Sequence, residues 1–330
     1  MNINMYSWAE SIFNSEVKPL MPIVTYPGLN IIGKNVIDMT NSGKVHFQCI
    51  SAIAGKYPEM PAVLLSMDLS LEAESFGAPV LFSEHEVPSV SDRLLFKSDE
   101  VENLEVPDLS SKRITEYLHA AELASKANFG KPVLAGTIGP FSLAGRLFDI
   151  TEIMTEILID PDHMHILLDK CTTFILKYIK ALKQAGVNGI LMAEPAAGLL
   201  SPDQCDEFSS KYVKMIVDEI QDKNFIIILH NCGHTEELVE SMVNTGAKGF
   251  HFGNAVNMSV ILPRIPLDRL AFGNIDPAGK IMNGNPEMIA EEINQLKEKY
   301  CKYKNYVISS GCDIPLASPL ENIDVFFKKF

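Results

Sequence analysis

Eight short apolar runs, separated by longer amphipathic stretches, constrain this chain more than any other feature of its sequence. They are Pro22–Tyr26, Ala62–Met67, Val133–Thr137, Gly189–Met192, Phe225–Leu229, Gly249–Phe252, Leu270–Gly273 and Tyr306–Ser309. The run Phe225-Ile226-Ile227-Ile228-Leu229 shows no polar alternation, which is the pattern of a strand covered on both faces, as in a parallel sheet. Between the later runs lie helical patterns over Pro161–Gln184, Pro202–Asp222, Glu236–Asn244 and Pro286–Lys302. Strands alternating with helices must pair in parallel, and eight such units predict an α/β fold of the (β/α)8 TIM-barrel type. Ser201-Pro202 and Asn285-Pro286 place a capping side chain before a proline at the first helical position. Gly186 and Gly246 stand where helices should stop before the next strand.

The first third is less regular. The stretch from Ala78 to Val106 reads as an inserted hairpin or excursion near the barrel mouth. No repeat, linker or low-complexity tract divides the chain, so one domain over residues 1–330 is expected. With 28 basic against 42 acidic residues, the formal net charge of −14 argues against nucleic acid as a partner. Met1-Asn2-Ile3-Asn4-Met5 has neither a charged nor an apolar leader pattern. No window approaches the roughly 20 apolar residues of a membrane-spanning helix. Six scattered cysteines are no secreted disulfide framework, so a reducing cytoplasm is the expected location.

Chemistry in a barrel gathers at the C-terminal ends of the strands. Those ends deliver Asp68, the turn Gly139–Ser142, Glu194, His230 with Cys232, His251, Asn274 with Asp276, and Cys312 with Asp313. His230-Asn231-Cys232 is the most specific of these. One imidazole and two thiols, the second being Cys312 eighty positions on, suit Zn2+. Three protein ligands leave a fourth position open, as in a catalytic rather than a structural site. The bland alternative is that buried cysteines serve as small inert hydrophobes. Cys49, Cys171, Cys205 and Cys301 fall in or near helical patterns and are read that way. The turn Gly139-Pro140-Phe141-Ser142 offers backbone N–H groups at a helix start, suited to an anionic group, although such turns also simply join strand to helix.

His230-Asn231-Cys232-Gly233, Gly273-Asn274-Ile275-Asp276-Pro277 and Gly311-Cys312-Asp313-Ile314-Pro315 together resemble the uroporphyrinogen decarboxylase superfamily. Within it they look most like the methylcobalamin:coenzyme M methyltransferase branch. The stretches Met67–Gly77 and Leu134–Ala144 support the resemblance, which runs from about Pro22 to Phe327. It implies a (β/α)8 barrel. The decarboxylases of this superfamily carry an arginine-rich segment after the first strand, whereas Thr25-Tyr26-Pro27-Gly28-Leu29-Asn30 has no arginine. They also work without metal, which would leave His230, Cys232 and Cys312 unexplained.

The resemblance therefore implies a zinc-dependent methyltransferase in which His230, Cys232 and Cys312 hold Zn2+. A small thiol such as coenzyme M would accept a methyl group from methylcobalamin or a related corrinoid. The alternatives are a decarboxylase of the superfamily's founding type and a non-catalytic partner of a corrinoid protein. Glu194 is read as a fourth ligand displaced by substrate or as acceptor of the thiol proton, with a loop-capping carboxylate as the structural alternative. Asp68 matches a position functional in the decarboxylases. Asn274 and Asp276 are candidates for binding acceptor or corrinoid, as are Gly139 and Ser142; turn stabilisation before Pro277 is the competing role for Asp276. His251 reads as a satisfied mouth histidine, and His234 as support for the site or as helix surface. No Asp-x-His-x-x-Gly signature is present. The corrinoid is then free or, as the better reading, carried by a separate corrinoid protein docking over the mouth, where Ala78–Val106 would help form the docking surface.

Overall fold

A computed structural model describes residues 3–328 of the chain. Seven parallel strands form one curled sheet: β1 (Val63–Leu64), β4 (Val133–Ile138), β5 (Gly189–Ala193), β6 (Ile226–Asn231), β7 (Gly249–Phe252), β8 (Leu270–Ile275) and β9 (Tyr306–Ser310), in that spatial order. A separate antiparallel hairpin pairs β2 (Val80–Leu81) with β3 (Ser89–Val90). The fold is α/β and TIM-barrel-like. Apolar runs without alternation arise because both faces are covered. Leu134, Leu191, Ile228, His251 and Phe272 line the barrel interior with Met21, Ile23 and Leu64, around a cavity of about 10 Å3. Their strand neighbours face the helices, and all five residues of β5 and all six of β6 are buried.

Two expectations need correction. Pro22–Tyr26 is not a regular strand. A parallel bridge joins Leu20 to Ile308, and the Met21 N–H donates to the Ile308 carbonyl at 2.8 Å. Beyond that, the Ile23 N–H turns to the Ser310 hydroxyl at 2.9 Å instead of to a backbone carbonyl. Pro19 and Pro22 have no N–H to give to a ladder, so this eighth stave lies along β9 as extended but irregular chain. β1 is likewise shorter than Ala62–Met67, because the Ser66 N–H leaves the ladder for His46 Nε2 at 3.0 Å.

Helices Pro161–Ala185 and Pro286–Lys299 lie where the periodicity placed them. The Pro202–Asp222 pattern is a helix with a π turn at Asp206–Ser210. Ser201 and Asn285 cap through their side chains, accepting from the Gln204 and Met288 amides. Gly186 and Gly246 take positive φ at the helix stops. The 78–106 excursion folds back on the helix Pro140–Phe148, with the Leu94 and Leu95 amides on the Leu147 carbonyl at 2.8 and 2.9 Å. Its hairpin leaves Leu81, Phe82 and Val87 exposed. No helix among the described residues is long and apolar enough to cross a membrane.

Candidate metal centre

β6 ends in His230-Asn231, and Cys232 follows at once; β9 ends at Ser310, and Cys312 lies two residues beyond. The register of the sheet sets Ala193, His230 and His251 level across β5, β6 and β7. The donor atoms of His230, Cys232 and Cys312 all lie within 4.8 Å of one another, and His230 Nε2 stands 3.8 Å from Cys312 Sγ. Glycines permit this crowding of strand ends. A Cβ on Gly253 would sit 2.5 Å from the Cys232 Cα, and one on Gly311 would sit 2.6 Å from the Asn254 amide nitrogen. Asn231 ties the loop down, donating from Nδ2 to the Glu194 carbonyl at 2.6 Å and accepting from the Gly233 N–H at 2.8 Å.

The triad is closed toward the core and open toward the mouth: His230 is buried, while both thiols are half-buried. The Cys312 S–H and then His230 pull the Cys232 thiol down to about 4, while the adjoining Cys232 sulfur and burial push Cys312 up. One thiolate thus forms readily beside a neutral thiol, the starting state expected of a soft metal site.

The imidazoles continue inward. His230 Nδ1 meets His251 Nδ1 at 2.8 Å, and His251 Nε2 meets the Ser309 hydroxyl at 2.9 Å. Burial and the neighbouring His230 hold His251 well below the ordinary histidine range. This is the satisfied mouth histidine expected from the sequence, with His230 itself among its partners.

The Uroporphyrinogen decarboxylase (URO-D) family profile matches residues 31–330. The chain belongs to the uroporphyrinogen decarboxylase family. Among its relatives, the methylcobamide:CoM methyltransferase MtbA of Methanosarcina acetivorans is 28% identical over 276 residues, covering 79% of this chain and 77% of that protein. The uroporphyrinogen decarboxylase of Pseudoalteromonas atlantica is 26% identical over 282 residues, covering 81% and 77%. A solved methyltransferase from Methanosarcina mazei superposes with a TM-score of 0.85 at 20% identity, over 98% of this chain and 97% of that one, which shows the shared fold. The family relatives of this chain thus include both methyltransferases and decarboxylases.

The remaining candidates fall into separate places around the mouth. The buried Glu194 carboxylate accepts from the Phe141 N–H at 2.8 Å, the Ser142 N–H at 2.9 Å and the Ser209 hydroxyl at 3.1 Å. It therefore sits on the start of the helix Pro140–Phe148, held from the other side by the π turn that carries Ser209. The anion at the Gly139–Ser142 turn is the protein's own, and Gly139 is needed because a Cβ there would meet Glu194 Oε2 at 2.5 Å. Burial pushes the Glu194 carboxyl upward, against the pull of these donors. Ser142 adds a second bond, its hydroxyl accepting from the Ala196 N–H at 3.1 Å.

Asp68 is buried in an ion pair with Arg113, accepts from the Ser70 hydroxyl at 2.7 Å and from the Tyr117 hydroxyl at 3.2 Å. Arg113 also pairs with Glu74 at 2.7 Å. Beside them Glu72 accepts from the Thr137 hydroxyl at 2.7 Å and the Ile138 N–H at 3.1 Å, and burial pushes its carboxyl up to about 7. Asn274 donates to the Gly253 and Val256 carbonyls at 2.9 and 2.8 Å, holding the loop after β7. Asp276 caps the following turn through the Ala278 and Gly279 amides, the turn-stabilising role weighed for it above. Of the cysteines read as packing, Cys49, Cys171 and Cys205 are buried. Cys301 is exposed, because the helix Pro286–Lys299 ends before it and leaves it on a surface turn.

Sequence reasoning missed Arg113 and Glu72. Their only signal was charge inside otherwise apolar helical faces, which without a partner in view reads as solvated surface.

Proposed function

We propose that the chain is a zinc-dependent corrinoid methyltransferase that moves a methyl group from a methylated cobamide to a thiol such as coenzyme M. The observation that carries this reading is the convergence of His230, Cys232 and Cys312 on one point at the barrel mouth. The donors fit the ion: tetrahedral zinc, with bonds of about 2.3 Å to sulfur and 2.0 Å to nitrogen, spaces a nitrogen and a sulfur by about 3.5 Å and two sulfurs by about 3.8 Å. The 3.8 Å between His230 Nε2 and Cys312 Sγ needs only a few tenths of an ångström of closure to meet that spacing. When bound, zinc supplies an open position that stabilises the acceptor sulfur as a thiolate near neutral pH.

The chain's own residues do the rest. The buried His230 closes the site on the barrel side, so acceptor and donor must both approach from the mouth, where Cys232 and Cys312 are partly accessible. In the reaction the acceptor thiol gives up its proton to solvent at the mouth and its sulfur forms a bond to the methyl carbon. The carbon–cobalt bond breaks with its electron pair left on cobalt, giving a thioether and a Co(I) corrinoid. Glu194 meets Asn231 through its backbone carbonyl while its carboxylate holds the start of the helix Pro140–Phe148, and in this reading it neither binds zinc nor accepts the proton. A separate corrinoid protein would present the donor, with the exposed Leu81, Phe82 and Val87 of the hairpin as part of its seat.

Decarboxylase relatives are nearly as similar as the methyltransferases. In this chain, however, the Asp68 carboxylate is committed to Arg113, and decarboxylation gives the triad no task. The test is zinc content in the wild type and Cys312→Ala, together with anaerobic demethylation of methylcobalamin on adding coenzyme M, followed by the absorbance of cob(I)alamin. Stoichiometric zinc, lost in Cys312→Ala along with thiol-dependent demethylation, is expected. Freshly purified wild type without zinc would overturn the reading.

A further inference from the structure

A buried pair of hydrogen bonds behind His230 has a task that neither the fold nor the ligand triad explains. The contact between His230 Nδ1 and His251 Nδ1, at 2.8 Å, needs one nitrogen to donate and the other to accept. The outer nitrogen of His251 faces the Ser309 hydroxyl at 2.9 Å. All three side chains are at least 97% buried, so no solvent exchanges for these bonds. Two directions of the chain are possible. In one, His230 carries its proton on Nε2, the atom that faces Cys312, and cannot offer that nitrogen to a metal. In the other, His230 carries it on Nδ1 and donates to His251, which then donates from Nε2 to Ser309.

We infer that His251 and Ser309 are positioning residues that hold His230 in the Nδ1–H tautomer, aiming its Nε2 lone pair at the zinc position. The inference rests on the zinc reading above. Of the two directions, only the second leaves Nε2 of His230 free for a metal, and in it a neutral His251 that accepts at Nδ1 must donate at Nε2. Ser309 is suited to close the chain because a hydroxyl accepts without imposing a charge in the core. Register brings the partners together, since His230 and His251 are paired residues of adjacent strands and Ser309 lies on β9. The His251 ring is held in turn by the Phe272 ring, 6.1 Å away and inclined by only 16°.

The test is the zinc dissociation constant, measured by competition with a chromophoric chelator, in wild type, His251→Leu, His251→Gln and Ser309→Ala. The visible spectrum of the Co2+-loaded proteins reports the ligand field independently of activity. His251→Leu leaves Nδ1 without an acceptor, and its zinc affinity should fall roughly 10–100-fold, as when such supporting partners are removed elsewhere. The side-chain carbonyl of His251→Gln can accept from Nδ1–H, so this variant should recover most of the loss and keep the wild-type cobalt spectrum. Ser309→Ala should lie between. A folded His251→Leu with wild-type zinc affinity overturns the inference. If that variant does not fold, wild-type affinity in Ser309→Ala does so instead. Wild type that binds no zinc at all overturns the functional reading, and this inference with it.

Discussion

Replacing Glu194 by alanine separates two roles that the sequence left open. In the structure its carboxylate is the acceptor for two buried amides at the start of the helix Pro140–Phe148 and for the Ser209 hydroxyl. Each buried donor left without an acceptor costs about 1–3 kcal/mol. The Ser209 hydroxyl can rotate, so the two amides dominate, at about 4 kcal/mol together. Water entering the space left by the side chain recovers part of this, so Glu194→Ala should lose about 3 kcal/mol. Urea unfolding followed by tryptophan fluorescence measures it, using the single tryptophan, Trp8. The same protein should bind zinc within about threefold of wild type, because the carboxylate points at a helix and not at the triad. If unfolding is unchanged while zinc affinity drops tenfold or more, Glu194 is a ligand and the capping account is refuted.

Three further outcomes follow from the same geometry. Glu72 has its carboxyl raised from 4.5 to about 7 by burial, so its contribution to stability is complete below pH 4.5 and is lost as pH rises to 7. Glu72→Gln should therefore gain about 2–3 kcal/mol on wild type between pH 5 and 8, and a difference independent of pH in urea titrations would refute this. Asp68→Asn leaves Arg113 buried with only Glu74 and should cost about 3–5 kcal/mol, most of it restored in Asp68→Leu/Arg113→Met, as thermal unfolding can check. Gly253→Ala drives a Cβ to within 2.6 Å of the Cys232 backbone and should weaken zinc binding about tenfold by chelator competition. Gly55→Ala, which meets open space, should leave it unchanged.

Most of the barrel was legible because its strands are buried on both faces, and a run such as Ile226–Leu229 has no other stable disposition. The stave at Pro22–Tyr26 was read too regularly. Its apolar character fits the barrel interior, but its prolines and the diversion of Ile23 to a side-chain acceptor break the ladder. The triad could be proposed from the sequence because zinc chemistry singles out histidine and cysteine at strand ends. What escaped was every interaction joining residues far apart by polar geometry alone. Glu194 meets Phe141 across 53 residues, and Asp68 meets Arg113 across 45. Nothing in local periodicity marks such partners, whereas apolar faces announce themselves by repetition.

The staves that supply the triad are β6 and β9, with β7 and β8 between them, and β9 also pairs with Leu20. Cys312 is brought to His230 by β9, which lies between β8 and the bridge to Leu20. That bridge joins residues 288 apart, so docking β9 against it carries a large loop-closure entropy. A chain still being made holds His230 and Cys232 as a two-donor fragment with little grip on a metal ion. Full coordination thus waits on the docking of β9, and under the proposed zinc reading the bound ion would fasten that stave to the middle of the sheet like a clasp.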